Sequence, residues 1–225
     1  LLVLGVLMLA MLLVLASARL GFVIRHWDSF LTEPWRIFYF WQGGFDIAWA
    51  IAAALVSLVL LHGWRLRALG GALLAAVGAL MMVLALLVPG PVAQPLPAMT
   101  LSDINGQPHA FKDLGDQKVV INLWASWCGP CRREMPMLEQ AVQQYPDVRF
   151  LFVNQGESAA QITAYLQQEG LNLGQGVLLD PASALSAQFQ ARGLPTTLFF
   201  SGQALQRTHV GEISREVLSE KLDGL

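Results

Sequence analysis

Charged residues are scarce in this 225-residue chain: 13% of its residues are Asp, Glu, Lys or Arg, whereas 55% are hydrophobic. An ordinary soluble domain has about twice that charged fraction. The composition therefore excludes a single soluble domain. Lys and Arg number 14 against 16 Asp and Glu, and no basic run occurs. Because nothing in such a chain could neutralise a phosphate backbone, nucleic acid is excluded as a partner.

Cysteine is scarcer still, with two residues in the whole chain and none in residues 1–88. The few charges are also unevenly distributed. Residues 1–88 contain 5 Lys or Arg and 3 Asp or Glu, whereas residues 89–225 contain 9 and 13. This change in composition near Pro89 predicts two domains, a membrane region followed by a globular one.

Three long apolar runs make up most of the first region, at about residues 1–18, 47–64 and 68–88. At about 1.5 Å of rise per residue, each could cross a hydrocarbon core about 30 Å thick. The sequence therefore predicts three transmembrane helices, with the lipid bilayer as a partner. A signal peptide cleaved after Ala18 is the alternative for the first run.

The orientation of these helices follows from the short loop at residues 62–67, which contains two Arg and no acid. Such a loop stays in the cytoplasm. The third helix then leads to the opposite side, so we expect the protein in the bacterial inner membrane with its C-terminal domain in the periplasm. The loop at residues 19–46 lies on that same side. Its many Trp, Tyr and Phe residues are typical of an aromatic belt at the membrane interface, and a ligand groove is the alternative.

Three segments of the membrane region resemble part of prolipoprotein diacylglyceryl transferase. They are ARLGFV at 18–23, PWRIF at 34–38 and WQGG at 41–44. In that family a functional His follows the last segment, but Ala48 occupies its position here. The family's later spans, which hold an Arg-rich lipid site, are replaced by a linker. The resemblance therefore implies a shared scaffold without transferase chemistry.

Four prolines within residues 89–97 predict an extended, semi-rigid linker. From there to residue 225, short apolar runs alternate with helical patterns, which predicts an α/β domain over residues 98–225 with a central sheet. Ser158 and Gln161 predict a capping box at the start of one helix. The predicted strands cover 118–124, 149–154, 196–201 and 206–210, and the predicted helices cover 130–145, 158–169 and 214–222.

Both cysteines lie in Trp127-Cys128-Gly129-Pro130-Cys131, where a predicted buried strand turns into a predicted helix. Amide donors and the positive end of the helix dipole stabilise a thiolate at such a place. We therefore expect Cys128 to have a lowered pKa and to act as the nucleophile. Cys131, one turn later, is expected to resolve the mixed disulfide.

A metal site and a structural disulfide are the two alternatives for this pair. Zinc usually has four ligands, and only a coincidence of folding would bring His109 or His209 to the cysteines. A structural bridge across so short a loop would stabilise the fold little. The sequence thus favours a redox dithiol that needs neither a metal nor another cofactor.

Residues from about 98 to 225 resemble the thioredoxin superfamily, specifically its membrane-tethered branch typified by TlpA and ResA. The resemblance rests on VINLWASWCGPCRREMP at 120–136. It implies a thioredoxin-like fold with a mixed sheet. Cytoplasmic thioredoxins have a buried Asp where this chain has Asn122, whereas the tethered branch has an acid after the second Cys. Glu134 matches that acid, which implies that it holds the proton of Cys131; a surface glutamate is the alternative.

Two further segments resemble the same families. VNQGES at 153–158 resembles a stretch of the tethered branch, which makes Glu157 a candidate catalytic residue; a charge beside a helix N-terminus is the equal alternative. GLPT at 193–196 resembles the cis-proline loop, which implies that Pro195 faces the sulfurs and that the Leu194 backbone pairs with substrate; a simple strand-entry proline is the alternative. The remaining predicted substrate-binding residues are Trp127, Gly129 and Pro130.

The Gly129-Pro130 dipeptide is that of thioredoxin, whose potential of about −270 mV is reducing. It favours a protein-disulfide reductase acting on periplasmic proteins, among them those of cytochrome c maturation. An oxidase or isomerase is one alternative, and a non-catalytic lipid- or lipoprotein-binding module is another. Because residues 1–88 contain no Cys, electrons must come from another protein. The resemblance implies a DsbD- or CcdA-type membrane conductor.

Overall fold

The computed structural model describes residues 2–60, 63–87 and 94–225. The chain divides into two compact units, Leu1–Val92 and Ala93–Leu225. The first consists of helices and the second is built around a sheet. We call them the helical unit and the sheet unit.

Within residues 2–60 and 63–87, the helical unit contains four α-helices: α1 (Leu2–Arg25), α2 (Trp27–Thr32), α3 (Ile47–Leu60) and α4 (Trp64–Leu87), with 3₁₀ turns at Pro34–Phe38 and Phe40–Gln42. Helices α1 and α4 are long and apolar enough, by length and composition, to cross a membrane. Helix α3 has 14 residues and extends about 21 Å, less than the hydrocarbon core of a bilayer.

The predicted second span, residues 47–64, was therefore wrong in its bounds. Helix α3 ends at Leu60, residues 61–62 lie outside the described residues, and Trp64 already belongs to α4. Between the two helices Gly63 has a φ of 90°, a left-handed conformation that glycine adopts easily and that ends a helix. Because the residues on both sides of Gly63 are mostly apolar, the sequence does not reveal this break between α3 and α4. Helix α4 contains the predicted third span, 68–88, up to Leu87, and the last residue of that span lies outside the described part.

The loop between α1 and α3 folds around Arg19. The Arg19 side chain donates hydrogen bonds to the backbone carbonyl oxygens of Ile37 (3.0 Å), Gly43 (2.8 Å), Gly44 (3.0 Å) and Arg36 (2.9 Å). Asp46 contributes a second polar contact, because it caps α3 through the Ala48 N–H and pairs with Arg25. The large aromatic side chains of this loop that remain exposed are Trp27, Trp35, Phe38, Phe40, Trp41 and Phe45.

The sheet unit has seven strands in the order β2-β1-β5-β4-β3-β6-β7. They are β1 (Thr100–Asp103), β2 (Pro108–Ala110), β3 (Lys118–Trp124), β4 (Val148–Gln155), β5 (Val177–Asp180), β6 (Thr196–Ser201) and β7 (Ala204–Val210). Strands β3, β4 and β5 are parallel and the other pairings antiparallel. The predicted α/β domain with a mixed sheet is thus confirmed.

Four α-helices accompany the sheet: α5 (Gly129–Gln144), α6 (Ala159–Glu169), α7 (Ala184–Gln188) and α8 (Arg215–Asp223), with 3₁₀ turns at Phe111–Leu114 and Gly174–Gly176. The predicted capping box is present at α6, where Ser158 and Gln161 bond each other's backbone N–H. Helix α5 begins directly after Cys128, its N-cap residue.

The Pro-rich segment is not a free spacer over its described part. Pro95 forms a bridge with Ala204 at the edge strand β7, and the Leu96 N–H donates to Gln203 O at 2.7 Å. Leu96 itself is buried in the core. The linker prediction was therefore wrong for residues 94–97. Proline has no backbone N–H to donate to a neighbouring strand, so it is tolerated at the edge of a sheet. The residues between the prolines pair with β7.

The register of the central strands positions the site. Trp124, the last residue of β3, pairs with Asn154 near the end of β4, and Leu123 pairs with Thr196 at the start of β6. The loops that follow β3 and β4, and the loop that precedes β6, therefore meet at one edge of the sheet. These loops contain Cys128, Glu157 and Pro195.

Candidate active site

Cys128 and Cys131 form a disulfide with their Cα atoms 5.3 Å apart. Cys128 caps α5, and its Sγ accepts a hydrogen bond from the Cys131 N–H at 3.3 Å. Cys128 is 5% exposed and Cys131 is fully buried. Of the two cysteines only Cys128 has any exposed surface, so it is the one open to attack by an incoming thiolate, and that attack would free Cys131. The helix amides and dipole are placed to stabilise negative charge on Cys128.

The surface beside Cys128 is apolar. Trp127 is 72% exposed, the highest exposure of a large apolar side chain in the sheet unit as described, and Gly129 next to Cys128 is also exposed. Pro130 is half-buried in the first turn of α5. An exposed indole next to a reactive sulfur provides contact area for a protein substrate.

The loop before β6 contributes Leu194 and Pro195. Leu194 is half-buried and Pro195 is buried, and the peptide bond between them is cis. The backbone N–H of Gly211 donates to the Pro195 carbonyl at 2.9 Å, which fixes this loop to the end of β7. The assignment of both residues to substrate binding stays a prediction.

Glu134 is buried one turn beyond Cys131 on the same helix, with 2% of its surface exposed. The alternative of a surface glutamate was therefore wrong. Its Oε1 accepts from Asn122 Nδ2 at 2.8 Å and its Oε2 from the Ile213 N–H at 2.9 Å. Burial raises the pKa of Glu134 to about 8, although these two hydrogen bonds oppose the change. A buried acid with such a pKa carries a proton at neutral pH.

Glu157 holds the loop that leads into Cys128. Its carboxylate accepts from the backbone N–H of Ser126 at 2.7 Å, from the Ser126 hydroxyl and from Asn154 Nδ2 at 2.6 Å. It does not cap α6, which is capped by Ser158. These contacts are those of a residue that positions the redox loop, and a catalytic role for Glu157 stays a prediction.

The segment after β7 also belongs to the site, although the sequence did not predict it there. Glu212 is 6% exposed and accepts from Arg133 Nε at 2.8 Å and Nη2 at 2.6 Å. Its neighbour Ile213 supplies the backbone N–H that bonds Glu134. Nothing in the sequence marks a Gly-Glu-Ile stretch between a strand and a helix as part of a site, since its contacts depend on how α8 packs.

The two histidines of the sheet unit lie with other partners. His109 Nε2 is 3.4 Å from Asp103 Oδ2, and His209 Nε2 is 3.3 Å from the Glu212 carbonyl oxygen. Burial lowers the pKa of His209, partly offset by that hydrogen bond. The sulfurs of Cys128 and Cys131 are bonded to each other, so the site that the structure describes is a disulfide.

Residues 92–206 match the model of the AhpC/TSA family, which spans just over half of the chain. The chain belongs to the AhpC/TSA family. Among relatives of this family member, thioredoxin-like protein YneN of Bacillus subtilis (strain 168) is 30% identical over 135 residues, which are 58% of this chain and 78% of YneN. Thiol-disulfide oxidoreductase ResA of Geobacillus thermodenitrificans (strain NG80-2) is 26% identical over 137 residues, which are 60% and 78% of the two chains.

A solved structure gives the fold of this AhpC/TSA family member. The thiol:disulfide interchange protein, thioredoxin family protein, from Chlorobium tepidum TLS matches with a TM-score of 0.52 at 20% identity, over 60% of this chain and 97% of that one. The thioredoxin-like fold and the relation to ResA are thereby confirmed. The dithiol and the fold are those of a thiol-disulfide oxidoreductase. The resemblance of the helical unit to prolipoprotein diacylglyceryl transferase stays a prediction.

Proposed function

We propose that this protein is a membrane-anchored protein-disulfide reductase whose sheet unit acts outside the cytoplasm. The observation that carries the proposal is the asymmetry of the disulfide. Cys128 keeps 5% of its surface exposed next to the exposed Trp127, whereas Cys131 is fully buried. A buried proton-holding acid, Glu134, follows Cys131 by one helical turn. These are the parts that a two-step thiol exchange requires.

In the reduced enzyme, the Cys128 thiolate attacks one sulfur of a substrate disulfide. A bond forms between Cys128 and that sulfur, and the other substrate sulfur leaves as a thiolate that takes up a proton. Cys131 gives its proton to the ionised form of Glu134, which the regeneration step below leaves behind, and the Cys131 thiolate attacks Cys128. The second substrate thiolate departs, and two electrons have passed from the enzyme dithiol to the substrate. No further cofactor is needed, because the dithiol carries both electrons.

Regeneration runs in the opposite direction. A donor thiolate attacks Cys128 in the disulfide form, and Cys131 leaves as a thiolate inside the protein. Glu134, protonated at neutral pH, can give that thiolate its proton. The pKa of about 8 lies much closer to that of a thiol in water, about 8.5, than the pKa of an ordinary glutamate does. The second thiol of the donor then displaces Cys128 from the mixed disulfide, which completes the transfer of two electrons.

The direction of electron flow is tested by the equilibrium reduction potential of the full chain in nanodiscs, measured against glutathione or dithiothreitol. Because the chain has two cysteines, the number of free thiols measures the oxidation state of a single dithiol/disulfide pair. A potential of about −270 mV, that of thioredoxin, supports a reductase. A potential of about −120 mV, that of DsbA, would reverse the assignment to an oxidant. Cys128→Ser is expected to abolish disulfide reduction, whereas a binding module would keep its function.

The membrane part of the proposal assigns α1 and α4 as spanning helices and the exposed aromatic residues between α1 and α3 to the interface. Electrons would arrive from a DsbD- or CcdA-type conductor, because the helical unit has no thiol. In intact spheroplasts, a maleimide that does not cross membranes should label the reduced chain and leave the Cys128→Ser/Cys131→Ser variant unlabelled. Labelling only after lysis would contradict the periplasmic location.

A further inference from the structure

The three residues that follow β7 contact three separate parts of the active site. The Gly211 N–H donates to the carbonyl oxygen of Pro195 at 2.9 Å. The Glu212 carboxylate accepts two hydrogen bonds from the Arg133 side chain on α5. The Ile213 N–H donates to Glu134 at 2.9 Å. We call residues 211–213 the bridge segment.

The bridge segment is fixed in place. Glu212 and Ile213 are buried, with 6% and 1% of their surfaces exposed. The ion pair between Glu212 and Arg133 is half shielded, since the Arg133 side chain is 56% exposed and that of Glu212 is 6% exposed. A buried carboxylate that accepts two hydrogen bonds from a charged side chain stays in one position. Because little water surrounds it, its charge interacts strongly with neighbouring groups.

We propose that the bridge segment couples the Pro195 loop to Glu134, and that Glu212 is a positioning residue whose negative charge, balanced by Arg133, sets when Glu134 exchanges its proton with Cys131. This inference rests on the proposed role of Glu134. It adds a residue that the sequence pattern around the cysteines does not contain. The two charges act on Glu134 in opposite senses: Glu212 favours the protonated form and Arg133 the ionised form.

The other groups around Glu134 differ in kind. Strand β3 contributes the Asn122 amide, which is neutral and also donates to Thr197 on β6. Helix α5 contributes Cys131 and Arg133, and the bridge segment contributes the Ile213 N–H and Glu212. The His209 ring on β7 is hydrogen-bonded to the Glu212 carbonyl oxygen, and burial lowers the pKa of His209.

The test uses the full chain in nanodiscs and three variants: Glu212→Gln, Arg133→Gln and the pair combined. The protonation of Glu134 is followed by its carboxyl signal in ¹³C-glutamate NMR, identified by its loss in Glu134→Gln. We expect the Glu134 midpoint to move down by about 1 pH unit in Glu212→Gln and up by about 1 pH unit in Arg133→Gln. The combined variant should return towards the parent value. The pH profile of disulfide reduction should move in the same directions.

Glu212→Asp should retain most of the parent midpoint, because it keeps the charge. Arg132→Gln is the matched control, since Arg132 neighbours Arg133 but pairs with Glu169. It should leave the midpoint unchanged. General loosening of the fold would shift both single variants in one direction, so shifts of the same sign, or no shift, would overturn the inference. If Glu134→Gln itself leaves the pH profile of disulfide reduction unaltered, the proposed role of Glu134 fails instead.

Discussion

Glu134 and Glu157 are buried acids that both follow the redox motif in the sequence, and the chain surrounds them differently. Glu157 accepts hydrogen bonds from both polar groups of Ser126 and from Asn154, so the loop before Cys128 closes around it. Glu134 accepts one backbone and one amide hydrogen bond, both from other elements, and lies beyond Cys131. An acid surrounded by donors of the redox loop holds that loop. One with few donors in a buried position is suited to exchange a proton.

The largest expected effect comes from Glu134→Gln, which removes the proton acceptor while nearly preserving shape. The step in which Cys131 displaces the substrate thiol should slow about 100-fold near neutral pH, a typical contribution of a positioned general base. Stopped-flow measurement of mixed-disulfide decay across pH 5 to 9 checks this. The inflection of the parent profile near pH 8 should vanish. Decay that matches the parent at every pH would show that water takes the proton.

The same carboxyl group should make the oxidised sheet unit less stable as pH rises. The pKa of Glu134 is about 8 in the folded protein, against an ordinary value of 4.5 for a glutamate in water, so the folded state binds the extra proton between these values. By linkage, the free energy of unfolding then falls with increasing pH through this window, by roughly 1 kcal/mol per pH unit. Amide hydrogen exchange of β3 in the full chain measures this free energy.

Two other groups act in the opposite sense. The lowered pKa of His209 costs stability as pH falls through its usual range, and that of Asp103 does so at more acidic pH. The comparison between the parent and Glu134→Gln isolates the glutamate, because His209 and Asp103 are common to both. The variant should be the more stable of the two at pH 8 and similar at pH 5. Equal slopes of stability against pH in the two proteins would contradict a buried, protonated Glu134.

The sequence predicted the elements that lie closest to the cysteines. The apolar run 118–124 coincides with β3, and the strand 196–201 coincides with β6. Both strands are buried on both faces of the sheet, and such burial produces a run of hydrophobic residues that is visible in the sequence. Strands β1, β2 and β5 have three or four residues each, too few for a periodic signal, and their pairing depends on distant partners.

The site divides in the same way. Cys128 and Cys131 were proposed from their place at a strand-to-helix turn, and Glu134 from the resemblance of the adjoining residues to the tethered thioredoxin branch. Glu212 comes 79 residues after Arg133, its partner, and only the packing of the chain brings the two together. In the helical unit the feature that the prediction missed is local. The apolar composition of this unit predicted long helices at 1–18 and 68–88, where the structure has the longer helices α1 and α4, but it did not reveal the turn at Gly63.

The smallest expected effect concerns the second acid. Glu157→Gln replaces one acceptor oxygen with a donor, so at least one of the donors from Ser126 and Asn154 loses its partner. A lost hydrogen bond to a buried group costs about 1 to 2 kcal/mol. We expect β3 amide exchange to report that loss at all pH values between 5 and 8. The midpoint of the pH-rate profile should stay in place, because Glu134 and its partners are untouched.

Ser126→Ala is the matched control for Glu157→Gln, since it removes the hydroxyl contact and keeps the backbone N–H donor. Its loss of stability should be smaller than that of the Gln variant. If Glu157→Gln instead removes the inflection near pH 8 as Glu134→Gln does, both acids belong to one proton path. The distinction between a loop-holding and a proton-exchanging glutamate would then be wrong, and the three hydrogen bonds of Glu157 would have to be interpreted as tuning a titrating group.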